Sequence, residues 1–358
     1  MQIFKKLSYL IVFFIVNMAL SFLLEPARGS SDMMWEGYYK QEELDTIFVG
    51  SSLCQGSIDP VIFDKILGTK SYNMGTPSQA IPQTIRAVEV ALEDHDIETV
   101  IFAMGFSSLK LDVLEEAELT FEKARAKQKG GLAGFKEALS YLFSEDTRND
   151  EKSINYFFPW LYNREEISKE MMLKNIKTKM EKLSGKGTSA VSEDYKGYQE
   201  PGEGVFNYDN CWDLNTYRYY EADFTPEMLQ SFEELLMICK ERNVELIVVN
   251  TPHPFFDVVA CYEFYERNQM EVETLCEKYG VTYYDFNLAK PEIFETKSEY
   301  YRDYEHLNNL GSKAFCESLC NVLIRRENGE TLDDKFYSMN EFLEMYSYWL
   351  NQWINYYW

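Results

Sequence analysis

Apolar positions along the chain follow two periods. Dense short runs occur at Thr46–Ser51 (TIFVGS), Ser71–Gly75 (SYNMG), Thr99–Gly105 (TVIFAMG), Glu245–Thr251 (ELIVVNT) and Thr282–Phe286 (TYYDF). Those at Thr46, Thr99 and Glu245 are rich in β-branched and apolar residues, the pattern of strands covered on both faces. Between the runs, Pro60–Leu67, Pro82–Asp94, Pro226–Arg242 and Tyr262–Tyr279 place apolar residues three and four apart, with Pro or an acidic residue near their starts. That spacing predicts helices. Alternation of strand and helix predicts a parallel sheet with helices on both faces, and sites in such sheets form at the carboxyl ends of the strands.

Three stretches depart from the alternation. From about Leu109 to Phe224 charged helical segments predict a mainly helical insertion, in which Lys174–Lys186 has only Ile176, Met180 and Leu183 at helical spacing and reads as a largely solvated or partly disordered helix. Phe336–Trp358 is dense in aromatics, which suits a helix packed on the domain, laid at a membrane interface or docked on a partner. Leu7–Leu24 carries no charge and as a helix spans roughly 27 Å, close to one bilayer core. Lys5 and Lys6 precede it while Glu25, Asp32 and Glu36 follow, which places the N-terminus in the cytoplasm and the rest outside. The absence of a clean A-x-A site favours a retained anchor over a cleaved signal peptide. Polar residues through Glu43 read as a connector. The expected organisation is a stub and transmembrane anchor (1–29), an α/β domain (30–332) with the insertion at about 109–224, and an aromatic C-terminal helix (333–358).

Composition narrows the function. The 358 residues are 46% hydrophobic, enough for one large core, and 35 Lys plus Arg against 59 Asp plus Glu give a net charge of −24. Such a field repels phosphate backbones and excludes a nucleic-acid partner. Seven cysteines, Cys54, Cys211, Cys239, Cys261, Cys276, Cys316 and Cys320, include no C-x-x-C pair and no histidine at metal-ligand spacing, so neither a metal nor a cofactor is expected. Cys316 and Cys320 share a helix face and read as small core residues, and an oxidising exterior leaves one or two disulfides open.

The candidate chemistry lies at two strand ends. Phe48-Val49-Gly50-Ser51-Ser52 sets Ser52 just past a glycine, where an exposed hydroxyl meets a helix N-terminus and its own amide can stabilise an oxyanion. Asp303-Tyr304-Glu305-His306-Leu307-Asn308, followed by Gly311, spaces a carboxylate one turn before a histidine, so that the carboxylate can accept from Nδ1 and leave Nε2 as a base. Two other histidines occur. His95 lies in an acidic helix end, and His253, between Pro252 and Pro254, follows a strand and could line the site.

In this combination and order the chain resembles the SGNH/GDSL hydrolase superfamily, which implies a three-layer flavodoxin-like parallel sheet. The resemblance places a Ser-His-Asp triad on Ser52, His306 and Asp303 and a second oxyanion amide on Gly75. It covers about residues 45–108 and 240–325. Gly50-Ser51-Ser52, Ile58-Asp59-Pro60, Tyr72-Asn73-Met74-Gly75 with Ser78-Gln79, and Asp303–Asn308 with Gly311 are closer still to a membrane-anchored Gram-positive branch, relatives of the teichoic-acid D-alanyl transfer protein. Inside the insertion, Tyr156–Tyr162 and Tyr195-Lys196-Gly197-Tyr198 also resemble segments of that branch.

Two positions depart from the pattern. Leu53 stands where many relatives carry histidine, and Gly105-Phe106-Ser107-Ser108 replaces a Gly-x-Asn-Asp block whose asparagine donates to the oxyanion. Gln79, Ser107 or Ser108 are the substitute donors to expect. The expected activity is extracytoplasmic hydrolysis or transfer of acyl esters, on a cell-envelope polymer or a small ester, with a membrane acyltransferase as a further expected partner. The alternatives are a scaffold that keeps the fold with a weak or inactive site, and Cys54 as the nucleophile.

Overall fold

A computed structural model describes residues 2–25, 29–106, 108–109, 115–143, 155–156, 158, 160, 168–184, 195–206 and 222–351. In chain order the elements are α1 (Gln2–Leu24), α2 (Ser30–Tyr38), β1 (Thr46–Gly50), α3 (Ser52–Ser57), α4 (Pro60–Leu67), β2 (Ser71–Asn73), α5 (Ile81–Asp94) and β3 (Thr99–Met104). Then come α6 (Glu115–Lys129), α7 (Gly131–Leu142), α8 (Lys169–Leu183), α9 (Pro226–Glu241), β4 (Glu245–Asn250), α10 (Phe255–Ala260), α11 (Tyr262–Tyr279), β5 (Thr282–Asp285), α12 (Asn309–Glu327) and α13 (Met339–Met345). They form two compact units, 1–39 with 115–193 and 40–114 with 194–358.

The sheet of the larger unit runs β2-β1-β3-β4-β5 with every pair parallel, the flavodoxin-like doubly wound order. Phe48 stands beside Ile101 and Ile101 beside Ile247, so the central strands are in register over their full apolar length. Successive side chains serve opposite faces. On one face Phe48 meets Phe63 of α4, ring centroids 4.7 Å apart; on the other Phe102 meets Phe232 of α9 at 6.1 Å. Three layers result, as the strand–helix alternation predicts.

Helix boundaries follow from caps. Asp59 accepts from the Val61 amide at 2.9 Å, Pro60 occupies the first turn, and Gly68 at φ 76° ends α4. The strands are one or two residues shorter than their apolar runs, because the ladder stops where the chain turns into the site loops. The described part of the C-terminal segment packs on the sheet unit: Met339 and Phe342 are buried with Phe256, Val259 and Tyr265, and Phe255 stacks on Tyr346 at 4.4 Å. Cys54, Cys239, Cys261, Cys276, Cys316 and Cys320 are free and buried; Cys211 lies outside the described residues.

In the smaller unit, Lys6–Leu24 has mean hydropathy 2.3 and is long and apolar enough to cross a membrane. One expectation changes here. The connector through Glu43 contains α2, whose Met34, Trp35 and Tyr38 are fully buried, with Trp35 edge-on to Phe121 at 5.2 Å. The lysine-rich segment contains α8, whose described side chains are exposed or half-buried except Asn175, in keeping with the solvated-helix reading. Its Lys179 donates to the carbonyls of Phe22 (2.7 Å) and Glu25 (2.6 Å), and Asn175 donates to that of Leu23 (3.0 Å). These polar side chains satisfy carbonyls that α1 leaves unpaired at its end, a role that apolar periodicity does not register.

Candidate active site

Gly50 ends β1 at φ 142°, and a Cβ there would stand 2.3 Å from the Ala103 carbonyl oxygen of β3. Only glycine fits that approach. The chain then turns into α3, with Ser51 as N-cap accepting from the Leu53 amide at 3.4 Å and Ser52 as the first helical residue. First-turn amides have no intrahelical acceptor, so the backbone around Ser52 forms an electropositive end.

The partner loop precedes α12. Asp303 Oδ1 accepts from the amides of Glu305 (2.9 Å) and His306 (2.7 Å), which folds the four residues into a turn and brings His306 Nδ1 to 3.0 and 3.1 Å from the two carboxylate oxygens. The three-residue spacing is thus the span of one side-chain-capped turn. Asn308 caps α12 through the Gly311 amide at 3.0 Å, and a Cβ on Gly311 would lie 2.2 Å from the Tyr300 carbonyl oxygen. His306 Nε2 stands 2.9 Å from Ser52 Oγ. With Nδ1–H donated to Asp303, Nε2 presents its lone pair to the serine hydroxyl. Burial pushes the Asp303 carboxyl up, but the His306 side chain and the two amides outweigh it and hold the group at about 2.

The positions expected to complete an oxyanion site are placed differently. Gly75 donates its amide to Asn73 Oδ1 at 2.9 Å, and Asn73 Nδ2 is itself fixed on the carbonyls of Cys54 and Ile58, both at 2.8 Å. Gln79 accepts from Thr76 of its own loop (2.9 Å) and donates to Thr84 of α5 (3.2 Å). Ser108 Oγ accepts from the Gly105 amide at 2.7 Å, closing a turn. Ser107 lies outside the described residues. Cys54 is fully buried, donates to Asn73 Oδ1 at 3.4 Å, and its thiol is pushed well up by burial, which removes it as a nucleophile.

Two further segments surround the site. Tyr195–Gln199 lines the outer edge of β2: Lys196 pairs with Asp64, its carbonyl accepts from the Asn73 amide at 2.8 Å, and Tyr198 shares a hydrogen bond with Ser312 at 3.0 Å. Gly197 at φ 81° passes so close to the Asn73 carbonyl that no other residue fits. The second is the turn after β4. His253 is buried, stacks on Phe106 at 4.3 Å, and bonds through Nδ1 to the Thr251 carbonyl at 3.0 Å. Its position between two prolines at a strand end was the one sequence signal for it. Among the described residues no group of three or more His, Cys, Asp or Glu side chains could hold a metal ion.

No protein-family model and no curated protein sequence matches this chain. It is similar to solved structures of three proteins. One, from Bacteroides fragilis, is described as a candidate acylhydrolase (9% identity, 83% of this chain and 94% of that chain, TM-score 0.38). Another, from Streptococcus pneumoniae, is described as a candidate platelet activating factor (10% identity, 86% and 98%, TM-score 0.38). The third, from Parabacteroides merdae, is described as a candidate GDSL-like lipase (11% identity, 78% and 96%, TM-score 0.36). Likeness at this level leaves the functional reading to the side chains themselves.

Proposed function

We propose that this chain is a membrane-anchored serine esterase or O-acyltransferase working through Ser52, His306 and Asp303. The observation that carries the reading is the continuous line from Ser52 Oγ to His306 Nε2 at 2.9 Å and from His306 Nδ1 to Asp303 at 3.0 Å. His306 takes the Ser52 proton as Oγ attacks an ester carbonyl, and Asp303 stabilises the imidazolium that forms. The proton then passes to the leaving alkoxide, and the acyl-serine goes to water or to an acceptor hydroxyl. Among the described candidate donors, the Ser52 amide at the start of α3 serves the oxyanion, since the Gly75 amide serves Asn73. Loss of one donor lowers kcat by roughly 10²–10³, so activated esters are the substrates to try first.

Location supports the substrate class. With Lys5 and Lys6 before α1 and acidic residues after it, the sheet unit falls on the extracytoplasmic side, and the likeness to the Gram-positive branch points to acyl esters of a cell-envelope polymer. The test uses the full chain in detergent with a fluorophosphonate probe and an aryl acetate. Wild type is expected to label and turn over, and Ser52→Ala and His306→Ala to do neither. Folded wild type that neither labels nor turns over sinks the enzyme reading, and labelling that survives Ser52→Ala moves the nucleophile elsewhere.

A further inference from the structure

Resting on that reading, we propose that His253 is a substrate-contacting residue whose Nε2 accepts a hydrogen bond from a hydroxyl or amino group carried by the substrate beside its reacting ester. The Thr251 carbonyl can only accept, so the 3.0 Å contact puts the proton on Nδ1 and leaves a lone pair on Nε2. That nitrogen is buried and has no hydrogen-bond partner among the described residues, in a side chain 1% exposed. Buried polar atoms are nearly always paired, and an unpaired one calls for a ligand or a function.

The surroundings locate the lone pair at the site. A Cβ built on Gly105 would meet His253 Cε1 at 2.9 Å and Nε2 at 3.4 Å, together with Leu53 Cδ1 at 2.2 Å. The Nε2 edge therefore borders Gly105 and the residue that follows the nucleophile. His306 and Asp303 lie near enough for their charges to act on the ring.

The ring is also held rigidly. Its face lies on Phe106, its amide donates to Asn287 Oδ1 at 2.7 Å, its carbonyl accepts from Tyr301 OH at 2.9 Å, and Asn287 Nδ2 bonds the same Thr251 carbonyl at 3.1 Å. Such support marks a preorganised contact rather than a filler. Burial pulls the imidazole down to about 4, so it stays neutral and cannot serve as the missing oxyanion donor. What it can recognise is a donor.

Two ester pairs, each differing by one hydroxyl, separate the source of that donor. Methyl lactate against methyl propionate reports on the acyl side, and ethylene glycol monoacetate against ethyl acetate on the alcohol side. Full-length wild type should favour the hydroxyl-bearing member of one pair by about 10- to 100-fold in kcat/KM. His253→Phe should abolish that ratio, and His253→Gln, whose side-chain oxygen accepts, should restore part of it. Equal ratios in wild type and His253→Phe overturn the proposal. Should His253→Phe not fold, or wild type turn over no ester, the nitrogen itself is read in ¹⁵N-histidine-labelled Ser52→Ala chain. A His253 Nε2 resonance that moves with a hydroxyl-bearing ester and not with its partner supports the contact, and one that stays fixed with all four overturns it. Absence of wild-type turnover alone defeats only the esterase reading.

Discussion

Two histidines at neighbouring strand ends are backed by different chemistry. His306, after β5, rests Nδ1 on the Asp303 carboxylate; His253, after β4, rests Nδ1 on the Thr251 carbonyl, and its amide donates to Asn287, whose own amide donates to Asp285. A carboxylate stabilises an imidazolium, so His306 can take up a proton during a reaction. A carbonyl in a dry pocket does not compensate the charge, so His253 remains a neutral acceptor. The two aspartates diverge likewise: Asp303 sits at about 2, whereas burial pushes Asp285 up to about 6 against the hydrogen bonds of Tyr265 and Asn287. Backing, more than residue type, decides what each ring can do.

The largest test removes the charge behind His306. Asp303→Asn is expected to lower kcat for an aryl acetate by about 10⁴, because the amide favours the wrong tautomer and leaves the imidazolium unbalanced. Asp303 contributes stability that is present above pH 3.8 and lost as pH falls through about 2, so it is ionised wherever esters are assayed. Residual activity within tenfold of wild type would mean that His306 does not work through its carboxylate.

Much of this arrangement is legible in the amino acids, and the limit is instructive. β1, β3 and β4 stand out because burial on both faces demands unbroken apolar runs, and α4 because Asp59, Pro60 and Gly68 spell out its ends. Asp303 and His306 stand out because one capped turn needs that spacing. α2 was lost because nine residues with three buried apolar side chains look like linker. The oxyanion positions misled for a different reason: whether the Gly75 amide is free depends on where Asn73 points, and no pattern encodes that. His253 needed the sheet to bring Gly105 and Leu53 beside it.

The second test addresses the carboxylate behind His253. Because native Asp285 holds its proton to higher pH than the unfolded value of 3.8, its contribution is fully present below that pH and lost as pH rises through about 6. The displacement corresponds to about 3 kcal/mol. Urea unfolding of wild type and Asp285→Asn should therefore give a free-energy difference that moves by that amount against wild type between pH 4 and 7.5. A difference independent of pH would show that Asp285 titrates normally and that the two carboxylates are alike.

The third presses on the contact between the His253 ring and Leu53. Gly105→Ala drives a methyl into Leu53 Cδ1 and His253 Cε1 and should cost about 1–3 kcal/mol of stability. As Leu53 adjoins Ser52, fluorophosphonate labelling should slow as well. Unchanged labelling in a destabilised protein would separate the His253 pocket from the nucleophile turn.

The smallest effect probes the anchor of the His253 turn. Tyr301→Phe removes the hydroxyl that donates to the His253 carbonyl at 2.9 Å and leaves that buried oxygen unbonded, a loss of about 1 kcal/mol in urea unfolding. Tyr301 also pairs with Leu307 across a β-bridge beside His306, but through its backbone, which the substitution keeps. Aryl acetate turnover, which depends on His306, should then change less than the lactate or glycol preference, which depends on the aim of His253. Equal losses in both would mean that the two turns move as one body, and that the different backing of the two histidines does not make their roles separable.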